Sequence, residues 1–356
     1  MLDFEEYIRQ SAPDKKEKGI IWQTAIGLQQ VDGLKPSAYL IETARQNIEG
    51  DITFDEVKKR IDAYYKTQPA KNEEDRTEEA DKVSASIAEI LSEKTFSFSP
   101  AEYTGIHRRL FSGIYKFAGK IRDYNITKSE WVLNGETVLY AGADMLKATL
   151  EYDFEQEKNF SYKGLSPQQT IEHIAHFIAY LWQIHIFGEG NTRTTAVFLI
   201  KYLRKLGFKN VNNEMFARYS WYFRNALVRA NYENLSQGIH RTGKYLIRFL
   251  SNVLFEENNI LKNRELHIHF VENDIVKAQD VPVNVPVNVP VNVPVTDIEQ
   301  SVLKIISENA NITYEEIADK IKKDRKTVQR AIKKLKEKGI ISRVGSDKTG
   351  HWKIRN

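Results

Sequence analysis

Between His185 and Arg193 the chain carries a base, a carboxylate, a Gly-Asn turn and an arginine, within the stretch His185-Ile-Phe-Gly-Glu-Gly-Asn-Thr-Arg-Thr-Thr-Ala-Val-Phe198. These are the groups a phosphate site needs. Gly188, Gly190 and Asn191 tolerate positive φ and let the backbone approach an anion closely. Arg193 offers a forked cation for phosphate, and Glu189 a hard oxygen for Mg²⁺ bridging phosphates. His185 is the group suited to take a hydroxyl proton near neutral pH.

The elements around these residues are predicted by periodicity. Ile171, Ile174, Ala175, Phe177, Ile178, Leu181 and Trp182 recur at spacings of three and four, which predicts a buried helix from Thr170 to Ile184 that ends near His185. A second apolar run, Ala196 to Leu203, resumes the helical pattern and stops at Gly207. The motif is therefore a loop that opens a helix, where free N–H groups and the macrodipole favour an anion.

The segment resembles the signature of Fic-domain proteins, His-x-Phe-x-(Asp/Glu)-Gly-Asn-Gly-Arg-x-x-Arg. Six of its eight specified positions match: His185, Phe187, Glu189, Gly190, Asn191 and Arg193. Ile106-His-Arg-Arg-Leu-Phe-Ser-Gly-Ile-Tyr-Lys-Phe-Ala-Gly-Lys-Ile-Arg122 is similar to the family's upstream helix, and Asn225-Ala-Leu-Val-Arg-Ala230 to its downstream helix. The resemblance implies AMP transfer from Mg·ATP to a Ser, Thr or Tyr hydroxyl of a target protein, with pyrophosphate leaving. His185 would be the base, Glu189 would hold Mg²⁺, the Gly190-Asn191-Thr192 backbone would form the anion hole, and Asn191 and Arg193 would position the phosphates. Phe187 would be a core anchor.

Two positions depart from the signature. Thr192 replaces a glycine and can cap the helix or offer its hydroxyl to phosphate. Ala196 replaces the second arginine, on the same helix face as Arg193, and a methyl group cannot hold a γ-phosphate. Weaker ATP holding, a substitute arginine (Arg224 or Arg229 downstream), and a different nucleotide pose all stay open. The family's death-on-curing branch, which transfers the terminal phosphate, remains an alternative.

Ser129 to Tyr140 alternates around Asn134-Gly135, which predicts a β-hairpin with an unpaired edge. The resemblance implies a flap that docks the target protein, through Trp131, Val132, Leu133, Thr137 and Val138. Family members are also held inactive by a helix ending Ser/Thr-x-x-x-Glu-Gly, whose acid pairs with the second motif arginine. Val31-Asp32-Gly33 and Ile48-Glu49-Gly50 resemble its end, so Asp32 and Glu49 are inhibitory candidates. Leu28 and Arg45 stand where the hydroxyl residue belongs, and Ala196 leaves such an acid without its usual arginine.

The chain has 356 residues, a net charge of +4 and no cysteine, so disulfides and thiolate metal sites are excluded. Without a secretory leader pattern or a long apolar run, it reads as a cytoplasmic protein with no membrane partner. Residues 297–356 hold 15 Lys and Arg against 9 Asp and Glu, leaving the rest slightly acidic. Here two helices, a turn and a terminal hairpin resemble a winged helix-turn-helix, with Thr313 and Glu316 as a capping box. Arg325, Lys326, Thr327, Gln329 and Arg330 would face DNA from the second helix, and Lys348 from the wing. A protein-contact module is the alternative. Ahead of it, Val281-Pro-Val-Asn recurs three times, and its prolines predict an extended tether.

The combined expectation is a mainly α protein. Residues 1–76 form a helical, candidate regulatory domain, 77–260 a Fic-type core with a β-hairpin flap, 261–280 a connector, 281–296 the tether and 297–356 the winged helix. The leading function is protein adenylyltransferase, with ATP and Mg²⁺ as cofactors. Its partners are a target protein at the flap edge and DNA or a regulatory protein at the winged helix, with homo-oligomerisation left open. The rival is a DNA-binding regulator whose Fic core only senses nucleotide.

Overall fold

The computed structural model describes residues 4–10, 12–68, 76–208, 211–270, 297–310, 312–337, 340–344 and 351–354. The first hydrophobic core is built from helices α1 (Glu5–Gln10), α2 (Pro13–Gly27), α3 (Ala38–Glu49), α4 (Phe54–Thr67), α5 (Thr77–Ser92), α6 (Pro100–Phe111), α7 (Leu146–Asn159), α8 (Pro167–Ile184), α9 (Asn191–Lys205), α10 (Glu214–Asn231) and α11 (Lys244–Phe255). The second is built from α12 (Asp297–Glu308), α13 (Tyr314–Ile321), α14 (Arg325–Glu337) and the strands β1 (Ile341–Val344) and β2 (His351–Ile354).

Local chemistry sets many helix ends. Ser37, Thr53, Ser99 and Ser166 each accept from the backbone N–H three residues on, and Ser166 with Gln169 completes a capping box ahead of α8. Gly33 and Gly50 close their helical segments in the left-handed region. The C-terminus of α5 is capped from a distance. Lys201 Nζ donates to Ile90 O at 3.0 Å and Glu93 O at 2.6 Å, while Arg204 Nη1 donates to Leu91 O at 2.6 Å. These bonds fix α9 against α5.

One core runs through residues 4–68 and 76–266, so position 76 is not a boundary between separately packed units. Helix α2 packs on both α5 and α10. Trp22 lies at its centre, fully buried, with its indole N–H on Asn47 Oδ1 at 2.9 Å. The described part of the 261–280 connector also belongs to this core, since Leu266 is buried and Ile268 N donates to Val132 O. The repeat at 281–296 lies outside the described residues. No helix among the described residues is long and apolar enough to cross a membrane.

The expected β-hairpin at 129–140 is corrected. The chain does reverse at Asn134-Gly135, with φ of 55° and 89°, but a 3₁₀ turn (Trp131–Leu133) replaces the first strand and no ladder forms there. Val132, Leu133 and Val138 are buried, which pulls the segment inward as a packed turn.

In the second core, α13 carries the predicted capping box of Thr313 and Glu316, and β1 pairs antiparallel with β2. Trp352 is buried, and its indole donates to Ile312 O at 3.0 Å. Three helices and a two-stranded wing make this a winged helix-turn-helix.

A test of the packing between α2 and α10 falls on Gly27. A Cβ there would run into the Ala217 backbone of α10, with its carbonyl carbon at 2.8 Å. We expect Gly27→Ala to cost about 1–3 kcal/mol, read as a lower thermal midpoint and faster proteolysis of residues 4–68. An unchanged midpoint would contradict the packing described.

Candidate active site

Helix α8 ends at His185, which caps it in the left-handed region at φ 50°. Helix α9 begins at Asn191, after Gly190 at φ 77°, and its first N–H groups precede the helix's own hydrogen-bond ladder. A side chain at Gly190 would collide with the Phe111 ring, and one at Gly188 would meet Tyr124 Oη at 2.6 Å. Gly190 is thus required by both its positive φ and close approach, while a side chain at Gly188 would displace the Tyr124 hydroxyl.

His185 is buried, and its Nδ1 sits 3.3 Å from Trp182 O while its Nε2 has no hydrogen-bond partner. With Trp182 O as acceptor, Nδ1 carries the proton and Nε2 presents a lone pair. Burial, reinforced by the nearby Lys128 and Arg122 cations, holds the imidazole well below its usual pKa. It is a neutral base at pH 7. Its ring packs on Tyr140 at 4.3 Å.

The loop is held by groups that sequence reading assigned otherwise or missed. Asn191, expected at the phosphates, spans the loop instead, donating to Phe187 O at 2.8 Å and accepting from Phe187 N at 3.1 Å. The Thr192 hydroxyl accepts from the Trp182 indole at 2.9 Å, so it ties α9 to α8. Phe187 is buried and stacks on His107 at 3.7 Å, as a core anchor. His107 went unassigned; its Nδ1 accepts from Gly119 N at 2.8 Å, which leaves Nε2–H for Glu189 O at 3.0 Å. Arg122 was also missed. Its guanidinium donates to His185 O at 2.8 Å, Tyr124 O at 2.5 Å and Ala141 O at 2.6 Å, so it caps the end of α8 beneath the base. Both residues lie in the stretch quoted for its upstream resemblance, where their functional partners are distant in sequence.

Arg193 departs most from expectation. It is wholly buried, donating to Gln29 Oε1 at 2.9 Å and Glu79 Oε1 at 2.7 Å, with its Nε 2.8 Å from Asp32 Oδ2 as an ion pair outside good hydrogen-bond alignment. Burial alone would raise the Asp32 and Glu79 carboxyls, but Arg193 and neighbouring cations hold both below their usual values. Of the two inhibitory candidates, Asp32 thus reaches the motif, on the first arginine rather than at position 196. Glu49 does not; it pairs with Lys15.

Glu189 faces Lys128, whose Nζ is 3.6 Å from Oε2. Arg224 is held by Glu130 at 2.6 and 3.0 Å, while Tyr140 Oη donates to Glu130 at 3.3 Å. Arg229 is buried beside Tyr245 and Tyr232, with Nε and Nη1 lacking hydrogen-bond partners. At the turn, Trp131 is exposed and lies 5.4 Å from His267, and Thr137 Oγ1 accepts from Lys128 N. Val132, Leu133 and Val138 face the core, so they offer no side chain to a partner, and Ile268 already covers the Val132 carbonyl. Leu139 is the exposed apolar residue that the flap reading lacked.

On α14, Lys326, Gln329 and Arg330 are exposed, and Arg325 pairs with Glu315 at 2.8 Å on the surface. Thr327 is half-buried, and its N–H and hydroxyl both donate to the Asp324 carboxylate, which caps the start of α14. Lys348 lies outside the described residues.

Residues 97–203 match the Fic/DOC family, and residues 296–342 match the winged helix-turn-helix DNA-binding family. The chain carries a Fic/DOC domain and a C-terminal winged helix-turn-helix. Over 103 residues it is 26% identical to the protein adenylyltransferase VbhT of Bartonella schoenbuchensis, covering 29% of this chain and 20% of that protein. Over 47 residues it is 40% identical to an uncharacterised HTH-type transcriptional regulator of Pyrococcus abyssi, covering 13% and 29%. The chain thus spans less than a third of either relative. A Fic domain containing signaling protein from Bacteroides thetaiotaomicron has a similar crystal structure, with a TM-score of 0.38, 16% identity, and coverage of 67% of this chain and 93% of that one.

Both buried imidazoles give a pH test. Burial pushes His107 down to about 4, and His185 is also held low. Because the unfolded chain takes up these protons near pH 6.5, folded stability contributed by the neutral rings is present above that pH and declines as pH falls toward the folded values. Imidazole NMR titrations are expected to show His107 near 4 and His185 clearly below 6.5. Titration of either at an ordinary value would refute this burial account.

Proposed function

We propose that the chain is a protein adenylyltransferase, moving AMP from Mg·ATP to a Ser, Thr or Tyr hydroxyl of a target protein and releasing pyrophosphate. The observation that carries this reading is the bare Nε2 of a neutral His185 beside Glu189 and the start of α9. Nε2 accepts the hydroxyl proton as the oxygen attacks the α-phosphorus, and the α9 N–H groups balance charge on the phosphates. Glu189 is the metal candidate. No cluster of three His, Asp or Glu able to hold an ion occurs among the described residues, so other ligands would be phosphate and water oxygens, which fits Mg²⁺. Bound there, Mg²⁺ would neutralise phosphate charge. The exposed Trp131 and Leu139 form the surface for the target segment.

Asp32 supports a restrained resting state, because Arg193 cannot turn to phosphate while Asp32, Glu79 and Gln29 hold it. The winged helix, with Lys326, Gln329 and Arg330 exposed on α14, is read as a DNA-binding module that targets or regulates the enzyme.

Incubation with ATP labelled at the α- or γ-phosphate tests the chemistry. We expect protein label from the α position, abolished in His185→Ala, raised several-fold in Asp32→Gly and unchanged in Glu49→Gly. Label from γ alone would mean phosphotransfer. No label in any variant, with DNA retained by the tail, would leave a nucleotide-sensing regulator. An Asp32→Gly variant no more active than the parent would sink the restraint.

A further inference from the structure

Ala196 is fully buried and leaves α9 without the second cation of the signature. The other cations around the motif are already engaged. Arg193 is bonded to Glu79 and Gln29, Arg76 to Glu79, Arg224 to Glu130, and Arg122 to backbone carbonyls. Lys128 differs. It is nine-tenths buried, yet among the described residues its ammonium makes no hydrogen bond, and the carboxylate it pairs with, Glu189 Oε2, is 3.6 Å away.

Its position is defined from three sides. The Lys128 backbone N–H is fixed to Thr137 Oγ1 at 3.1 Å, at the base of the 129–140 turn. Its ammonium lies 3.6 Å from the candidate metal ligand, and its charge is felt by both His185 and Asp32. Among the described residues no other cation near the site combines that placement with a head group uncommitted to hydrogen bonds. An ammonium on a flexible stem carries three rotatable donors and suits a phosphate oxygen, whereas its ion pair with Glu189 is long and weakly directional.

We propose that Lys128 supplies the charge that Ala196 removes, holding the outer phosphates of a nucleoside triphosphate. The proposal rests on the nucleotide reading above. In the resting chain Lys128 neutralises Glu189; when Glu189 ligates a divalent cation, the lysine loses that partner and its ammonium turns to the phosphate oxygens. The flap turn is thereby coupled to the nucleotide, because the same residue anchors the turn through its backbone and grips the phosphates through its side chain.

Calorimetric titration of the full chain with ATP and AMP, in Mg²⁺, tests this for the parent, Lys128→Met and Lys128→Arg. Each is also measured with Asp32→Gly, so that the covered Arg193 does not mask binding, and circular dichroism checks the fold. Lys128→Met is expected to weaken ATP about tenfold while leaving AMP unchanged, and Lys128→Arg to restore most of the ATP preference. Equal loss for ATP and AMP, or no loss for either, overturns the role of Lys128 and leaves the nucleotide reading standing. Failure of the parent and of Asp32→Gly to bind either nucleotide overturns both.

Discussion

A guanidinium taken wholly out of water must be met by opposite charge, and Arg193 imposes that requirement on the centre of this protein. Its own loop and helix supply no counter-charge. The acids come from Asp32, at the end of a 3₁₀ turn after α2, and Glu79 on α5, with Gln29 filling a further donor. Removing one member of a buried pair leaves an uncompensated charge, at a cost of roughly 3–5 kcal/mol. The N-terminal helices are therefore welded to α9 by electrostatics as well as by the packing of α2 on α5 and α10.

The same network sets what the loop can do. With Arg193 held by these acids, the charged and basic groups left at the loop are His185, Glu189 and Lys128, a base, an acid and a cation within one field. Their placement depends on rigid supports that carry no chemistry of their own. Asn191 closes the loop on itself, His107 holds the Glu189 carbonyl, and Arg122 holds the His185 carbonyl. Three side-chain-to-backbone contacts of this kind fix the direction of Nε2 without adding a hydrogen bond to it. The base stays both buried and available, which explains why its pKa is low and its lone pair bare.

Short-range patterns were legible in the sequence and long-range pairings were not. Helix α8, its end at His185, the turn at Gly190 and the Thr313–Glu316 box all follow from residues within one or two turns of each other. The Fic/DOC and winged helix domains could be recognised for the same reason, as contiguous motifs. The pairing of Asp32 with Arg193 could not, because it joins elements far apart in the chain and leaves no periodic trace. Nor could the roles of Asn191 and Thr192 be separated from phosphate binding, since an amide or hydroxyl at a helix start serves a staple and an anion equally well. The turn at 129–140 shows a further limit. Asn134-Gly135 correctly marks the reversal, but alternation alone does not reveal that Val132 and Leu133 are buried against α10, with the Ile268 N–H on the Val132 carbonyl.

That inward packing gives the second buried ion pair its meaning. Glu130 and Arg224 are almost free of solvent, and an apolar pair of the same volume could serve stability as well. What the charges add is orientation, since a bidentate guanidinium accepts a carboxylate in few geometries. Tyr140 donates to Glu130 and lays its ring against His185, so one carboxylate references both the turn and the base to α10. Trp131 and Leu139, the exposed apolar residues of the turn, flank this buried anchor. The surface they form is held relative to Nε2 by a buried charge pair, and a fixed distance of that kind is what the proposed in-line transfer would require.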